Sequence, residues 1–176
     1  YEGVDINSQQ YQEVINLLEQ AATVDLGYLN TLQDSIYIED NILYLPVTIN
    51  NETGHRLPSG TPFSREVWLE IRVISSTGDI IFEKGVLDSS SDLLDYNDSD
   101  IMLYTTVLYD QEDLQGDIIY EPSNALSYDD RTLRTLFYDS KIYEIEVESN
   151  LEGEITIEAR MLFRPFKPQM LNQFHP

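Results

Sequence analysis

Glu66-Val67-Trp68-Leu69-Glu70-Ile71-Arg72-Val73-Ile74 repeats with a period of two. Val67, Leu69, Ile71 and Val73 share one face, and Glu66, Trp68, Glu70 and Arg72 share the other, which is the signature of a β-strand. Thr77-Gly78-Asp79 is a turn signal, and Ile80 to Lys84 predicts the returning arm of a hairpin. Working backward, Ile42 to Asn50 predicts another strand. Pro46 has no backbone donor, so this strand is expected at an edge or with a bulge. Before it, Ile36 and Ile38 alternate with Tyr37 and Glu39, and Asp40-Asn41 reads as the turn between them. Working forward, residues 101–109 predict one long strand and residues 110–135 an irregular stretch with short strands or turns. In residues 141–148, Ile145 and Val147 sit opposite Glu144, Glu146 and Glu148. Glu152-Gly153 is expected to turn the chain into a last strand, Ile155 to Phe163. Short strands separated by turn signals predict an all-β fold, an antiparallel immunoglobulin-like sandwich.

One helix is expected, over residues 8–24. Ser8 serves as N-cap, Tyr11, Val14, Ile15, Leu18, Ala21 and Ala22 form an apolar stripe, and Gly27 is the stop. The organisation that follows is an N-terminal helical segment (1–30) packing on or linking to the sandwich, a β-sandwich (31–166) and a C-terminal tail (167–176). At the end of the sandwich, Arg164-Pro-Phe-Lys-Pro168 is expected to leave the sheet and run across a surface.

Thirty-two acids against ten bases give 176 residues a formal charge of −22. That field repels phosphate backbones and anionic lipid surfaces, so nucleic-acid binding and membrane association are disfavoured. The apolar runs are too short for a membrane insertion. Hydrophobic residues at 41% are enough for a packed core. There is no cysteine, hence no disulfide, no thiolate metal site and no covalently attached c-type haem. Twelve tyrosines and many Asn, Ser and Thr suit an exported protein, placed extracellularly, at the cell surface or in the periplasm.

Chemistry-bearing patterns are sparse. The two histidines are His55 and His175, no Gly-x-Ser-x-Gly is present, and the glycines are scattered singly. No catalytic residue is assigned and the chain is expected not to be an enzyme. Residues 88–100 form a polar loop in which Asp95, Asn97 and Ser99 share the spacing that opens an EF-hand. Asp100 stands where glycine is required and Thr106 where the bidentate glutamate is required. Two readings stay open: a solvated acidic loop, or a calcium site of another kind built from Asp88, Asp92, Asp95, Asn97, Asp98 and Asp100.

The most specific stretch runs from Asn50 to Pro62, Asn-Asn-Glu-Thr-Gly-His-Arg-Leu-Pro-Ser-Gly-Thr-Pro. Two glycines and two prolines in a connection after a strand predict a rigid corner. His55 inside it either ties the loop together through its ring nitrogens or approaches a metal or haem iron.

This stretch, continued through Phe63-Ser-Arg-Glu-Val-Trp-Leu69, resembles a β-domain of exported multihaem cytochromes c, whose pattern is Asn-x-Thr-Gly-His-x-x-Pro-Thr/Ser-Gly, then Arg, then a Trp-Leu strand. Asn51, Thr53, Gly54, His55, Pro58, Gly60 and Arg65 carry the match. Gly78, Ile80 to Glu83, Gly85, Asp129-Asp130-Arg131 and Glu158 to Phe166 resemble its continuation, while residues 86–127 match poorly. The resemblance implies a non-catalytic accessory or scaffolding module of an electron-transfer system. Its partner would be a multihaem cytochrome or the haem-bearing region of the same precursor, with haem supplied only there. A cell-surface adhesion, filament-coat or assembly module and a calcium- or copper-binding domain are the alternative expectations.

Overall fold

The computed structural model describes residues 7–29, 32–33, 35–87, 93–149 and 153–174. In chain order the elements are α1 (Gln9–Glu19), β1 (Ala22–Leu26), β2 (Tyr28–Leu29), β3 (Leu32–Gln33), β4 (Tyr37–Glu39), β5 (Ile42–Asn51), β6 (Glu66–Ile74), β7 (Ile80–Lys84), β8 (Leu103–Tyr104), β9 (Thr106–Tyr109), β10 (Ile118–Ile119), β11 (Ser127–Asp130), β12 (Tyr138–Glu146), β13 (Thr156–Arg164) and α2 (Pro168–Phe174). One sheet has the order β1-β5-β12, with β4 also on β5. The second has the order β13-β6-β7, with β8 also on β6. A three-stranded sheet, β10-β9-β11, forms a further layer. All described pairings are antiparallel, as expected for the all-β sandwich.

The main core lies between the two four-stranded sheets. Leu43, Leu45, Val47 and Ile49 of β5 and Tyr143 and Ile145 of β12 meet Val67, Leu69, Ile71 and Val73 of β6, all buried. The second face of β6, with Glu66, Trp68 and Glu70, is buried as well. Trp68 packs with Leu94, Tyr96, Leu103, Val107 and Tyr109 in a separate cluster. Trp68 is 3% exposed, and its Nε1 donates to the Gly85 carbonyl at 2.8 Å. Gly85, at φ +68°, has no room for a side chain, since a Cβ there would lie 2.1 Å from the Leu69 carbonyl oxygen.

Three local expectations are corrected. The helix stops at Glu19, and Ala22 to Leu26 form an edge strand on β5. Ser8 is the N-cap as expected, accepting from the Tyr11 amide, but no residue of α1 is buried. Strand β5 is central, although it contains Pro46. The Pro46 carbonyl accepts from the Gly27 amide, so its donorless nitrogen faces the same side. On that side β4 ends opposite Tyr44 and β1 begins opposite Val47, and the missing donor falls in the gap. Finally, residues 101–109 are not one strand. Thr105, fully buried, turns its hydroxyl to the Pro62 and Arg65 carbonyls, and the chain passes there from β6 to the third layer.

The turns follow their residue types. Asp40 and Asn41 both have positive φ, 50° and 64°, as a two-residue hairpin of the primed kind requires. The tail leaves the sheet at Arg164 and then coils into α2. Among the described residues no helix is long and apolar enough to cross a membrane.

Candidate functional site

The corner between β5 and β6 is organised by one buried amide. Asn51 is 2% exposed. Its Nδ2 lies 2.8 Å from the His55 carbonyl, 3.1 Å from that of Leu133 and 3.0 Å from that of Arg134. Its Oδ1 accepts from the Thr53 amide at 2.9 Å and the Thr53 hydroxyl at 2.7 Å. A carboxamide is the side chain suited to this spot, because it donates and accepts at once. The Leu57 and Leu133 backbones exchange two hydrogen bonds of 2.9 Å, closing the corner against the segment before β12. The Leu57–Pro58 bond is cis.

His55 is exposed, and its Nδ1 lies 3.1 Å from both the Thr53 hydroxyl and the Arg56 carbonyl. The ring thus lies against a hydroxyl and a carbonyl of its own loop. Its main-chain carbonyl, held by Asn51, is the deeper anchor. Gly54 has open space around it, whereas Gly60 adopts φ +75° with the Arg65 guanidinium beneath it. Arg65 Nη1 donates to the Ser59 carbonyl at 2.6 Å. All seven motif residues, Asn51, Thr53, Gly54, His55, Pro58, Gly60 and Arg65, therefore fall within one corner.

Asp130 locks the corner to β11. It lies 2.5 Å from Arg56 Nη1 and accepts from the Thr132 amide and hydroxyl. Burial pushes its carboxyl up, but the Thr132 hydrogen bonds and the Arg56 charge prevail and hold it below the usual carboxylate range. Arg56, Pro58, Gly60, Pro62, Phe63, Leu108, Tyr128 and Thr132 line an open pocket of about 550 Å³ beside the corner.

A second cluster lies on the other face of β6, beneath the third layer. Glu66 is fully buried and opposite Arg164 in register. Arg164 Nε donates to it at 2.7 Å, and the Tyr96 hydroxyl donates to its other oxygen. Burial, and then the Glu66 charge, push the Tyr96 phenol far up. Lys167 sits over the Tyr96 ring at 5.1 Å and donates to the Thr106 carbonyl at 2.9 Å. Burial brings its amine down to about 8. Arg164 also stacks on Trp68 at 5.3 Å. The alternation of β6 places these residues on one face but gives no sign that a third layer covers it.

In the acidic loop, Asp88 and Asp92 lie outside the described residues. Asp95 accepts from the Asn97 amide, closing a local turn. Asp98 pairs with Lys84 at 2.8 Å, and Asp100 pairs with Lys141 at 2.8 Å. The Lys84 hydrogen bond holds the Asp98 carboxyl below its ordinary value. The protein's own ammonium groups thus occupy two of the carboxylates expected to face calcium. Among the described residues no three His, Cys, Asp or Glu side chains converge as a metal site.

Fold and corner together define an antiparallel β-sandwich with an added layer and a hydrogen-bonded connection between its two sheets. No family model matches the chain. No curated protein matches it either. A solved structure does: a penta-haem cytochrome c552 from Thermochromatium tepidum, at a TM-score of 0.64 and 17% identity. The superposition covers 90% of this chain and 36% of that one, so this chain spans just over a third of that length. The likeness is one of fold. It does not extend to haem attachment, because this chain has no cysteine.

Proposed function

We propose that the chain is a non-catalytic accessory or scaffolding module of an exported multihaem cytochrome system, acting outside the cytoplasm. The carrying observation is the superposition of nine-tenths of this chain on part of a protein that is itself a penta-haem cytochrome. The corner motif supports the reading, since its polar groups are consumed in holding two sheets at a fixed angle. Asn51 serves four residues, Asp130 serves Arg56 and Thr132, and the His55 ring serves its own loop. Such a module offers a partner a rigid surface and brings no redox group of its own. Haem enters through the partner or through a haem-bearing region of the same precursor.

The test is direct. The immobilised chain is presented with purified multihaem cytochromes from its own source, and bound haem is read by Soret absorbance. Retention that is released by salt is expected. Passage of every such cytochrome over folded chain overturns the proposal.

A further inference from the structure

On the outer side of the β4-β5-β12 sheet Pro46 and Thr48 are buried, but beyond them, toward β4, the face stands open among the described residues and has a definite chemistry. Leu43 and Leu45 point into the core, so their neighbours Ile42 and Tyr44 point outward. Register then builds a grid. Tyr37, Tyr44 and Glu144 form one cross-strand row, and Glu39, Ile42 and Glu146 form the next. Ile142, opposite Pro46, begins the third. Tyr37 and Ile142 are 46% and 42% exposed. The Tyr37 and Tyr44 rings stack at 4.8 Å, presenting one flat aromatic platform.

The rim of this platform has a single sign. Glu39, Asp40, Glu144 and Glu146 are all exposed, and among the described residues none is within ion-pair distance of a lysine or arginine. Three rings elsewhere carry one of the protein's own cations: Arg164 on Trp68, Lys167 on Tyr96 and Lys141 near Tyr143. Among the described residues the stacked Tyr37–Tyr44 pair carries no such cation. An aromatic face surrounded by carboxylates attracts ammonium and guanidinium groups through both the ring quadrupole and the charges.

We propose that this face, with Tyr37, Ile42, Tyr44 and Ile142 rimmed by Glu39, Asp40, Glu144 and Glu146, docks a protein surface whose lysines or arginines surround an apolar centre. A second copy of the chain does not fit, because pairing the face with itself opposes two sets of unpaired carboxylates. Nucleic acid and anionic lipid are repelled for the same reason. This deepens the scaffold reading and rests on it only for the identity of the partner. The surface chemistry itself asks for basic charge, not haem.

The experiment is a titration of isotope-labelled chain at low salt, read by amide chemical shifts. The probes are a small reduced lysine-rich cytochrome c and lysozyme as a haem-free basic protein. Shifts clustered at residues 37–44 and 142–146 are expected. Glu39→Lys with Glu144→Lys should weaken cytochrome binding about tenfold or more, and Tyr37→Ser with Ile142→Ser severalfold. Glu39→Gln with Glu144→Gln gives the same direction with less risk to folding. Reversal of two acids away from this face, Glu112→Lys with Glu154→Lys, should change affinity less than about twofold. Shifts that scatter or centre elsewhere, an equal loss from the control reversals, or no binding of either probe overturns the proposal. Cytochrome bound through another face sinks this surface and leaves the haem-partner reading standing. Equal binding of both probes at this face does the reverse.

Discussion

Asn51→Ala removes the centre of the corner, and its cost follows from the hydrogen bonds. Nδ2 carries two hydrogens for three carbonyls at 2.8 to 3.1 Å, so two are donated at a time. Oδ1 accepts two more. Each such bond contributes about 1 kcal/mol net, and more where the abandoned partner stays buried. Two features lower the sum. The Leu133 carbonyl keeps its bond from the Leu57 amide, and His55 and Arg134 are exposed enough for water to reach them. The expected loss is about 3 kcal/mol, which for a domain of this size lowers Tm by roughly 6–12 °C. Thermal unfolding followed by far-ultraviolet circular dichroism measures it, with a urea midpoint as the second reading. His55→Ala is the matched control. It deletes a ring but spares the carbonyl that Asn51 holds, so a loss of no more than about 1 kcal/mol is expected. If the two variants melt together, or if Asn51→Ala melts with the parent, the corner is not held as described.

Two further outcomes follow from the covered polar cluster. Arg164→Met strands the buried Glu66 carboxylate and should destabilise by about 3–5 kcal/mol, with part of the loss recovered when Glu66→Gln is added; urea midpoints decide, and an unchanged midpoint refutes it. Lys167 has a folded pKa of about 8, below the ordinary 10.5, so the unfolded chain binds more protons between those values and stability rises with pH across that window. The gain is about 2 kcal/mol by pH 9.5 and should vanish in Lys167→Met. Above pH 10 burial keeps Tyr96, Tyr104 and Tyr143 protonated in the folded state, and stability should fall again. Identical slopes for parent and Lys167→Met between pH 8 and 9.5 would contradict the burial of that amine.

What the sequence made legible was local. The period-two stretches became strands, Asp40-Asn41 and Thr77-Gly78-Asp79 became turns, and Ser8 became an N-cap, because each depends on neighbours within a few positions. Helix α1 was overextended because Ala21 and Ala22 suit either structure, and pairing with β5 decides between them. Pro46 misled because the rule against central prolines assumes that a strand has one partner along each side, and β5 changes partner at that residue. Asn51 was singled out by its place in a motif, but its partners at 133 and 134 lie far along the chain, beyond the reach of any spacing rule.

The face of β6 carries the most consequential difference. Alternation separates two faces but does not say which of them meets water. Glu66 and Glu70 are charged and alternate with the core residues, yet Glu66 lies with Trp68 beneath the layer built from residues 94–120. The charges on β6 were themselves the available signal, for each has an opposite charge across the strand pair: Arg164 for Glu66, Arg160 for Glu70 and Glu158 for Arg72. A carboxylate can be buried only with a cation in register, and the spacing of Arg160 and Arg164 matches that of Glu70 and Glu66 in an antiparallel pair. The outer face of β5 shows the opposite pattern, with Glu39, Glu144 and Glu146 facing no cation on any adjoining strand. Acids satisfied within the fold are thus separable from acids that face no cation on an adjoining strand, and the proposed docking face is built on the second set.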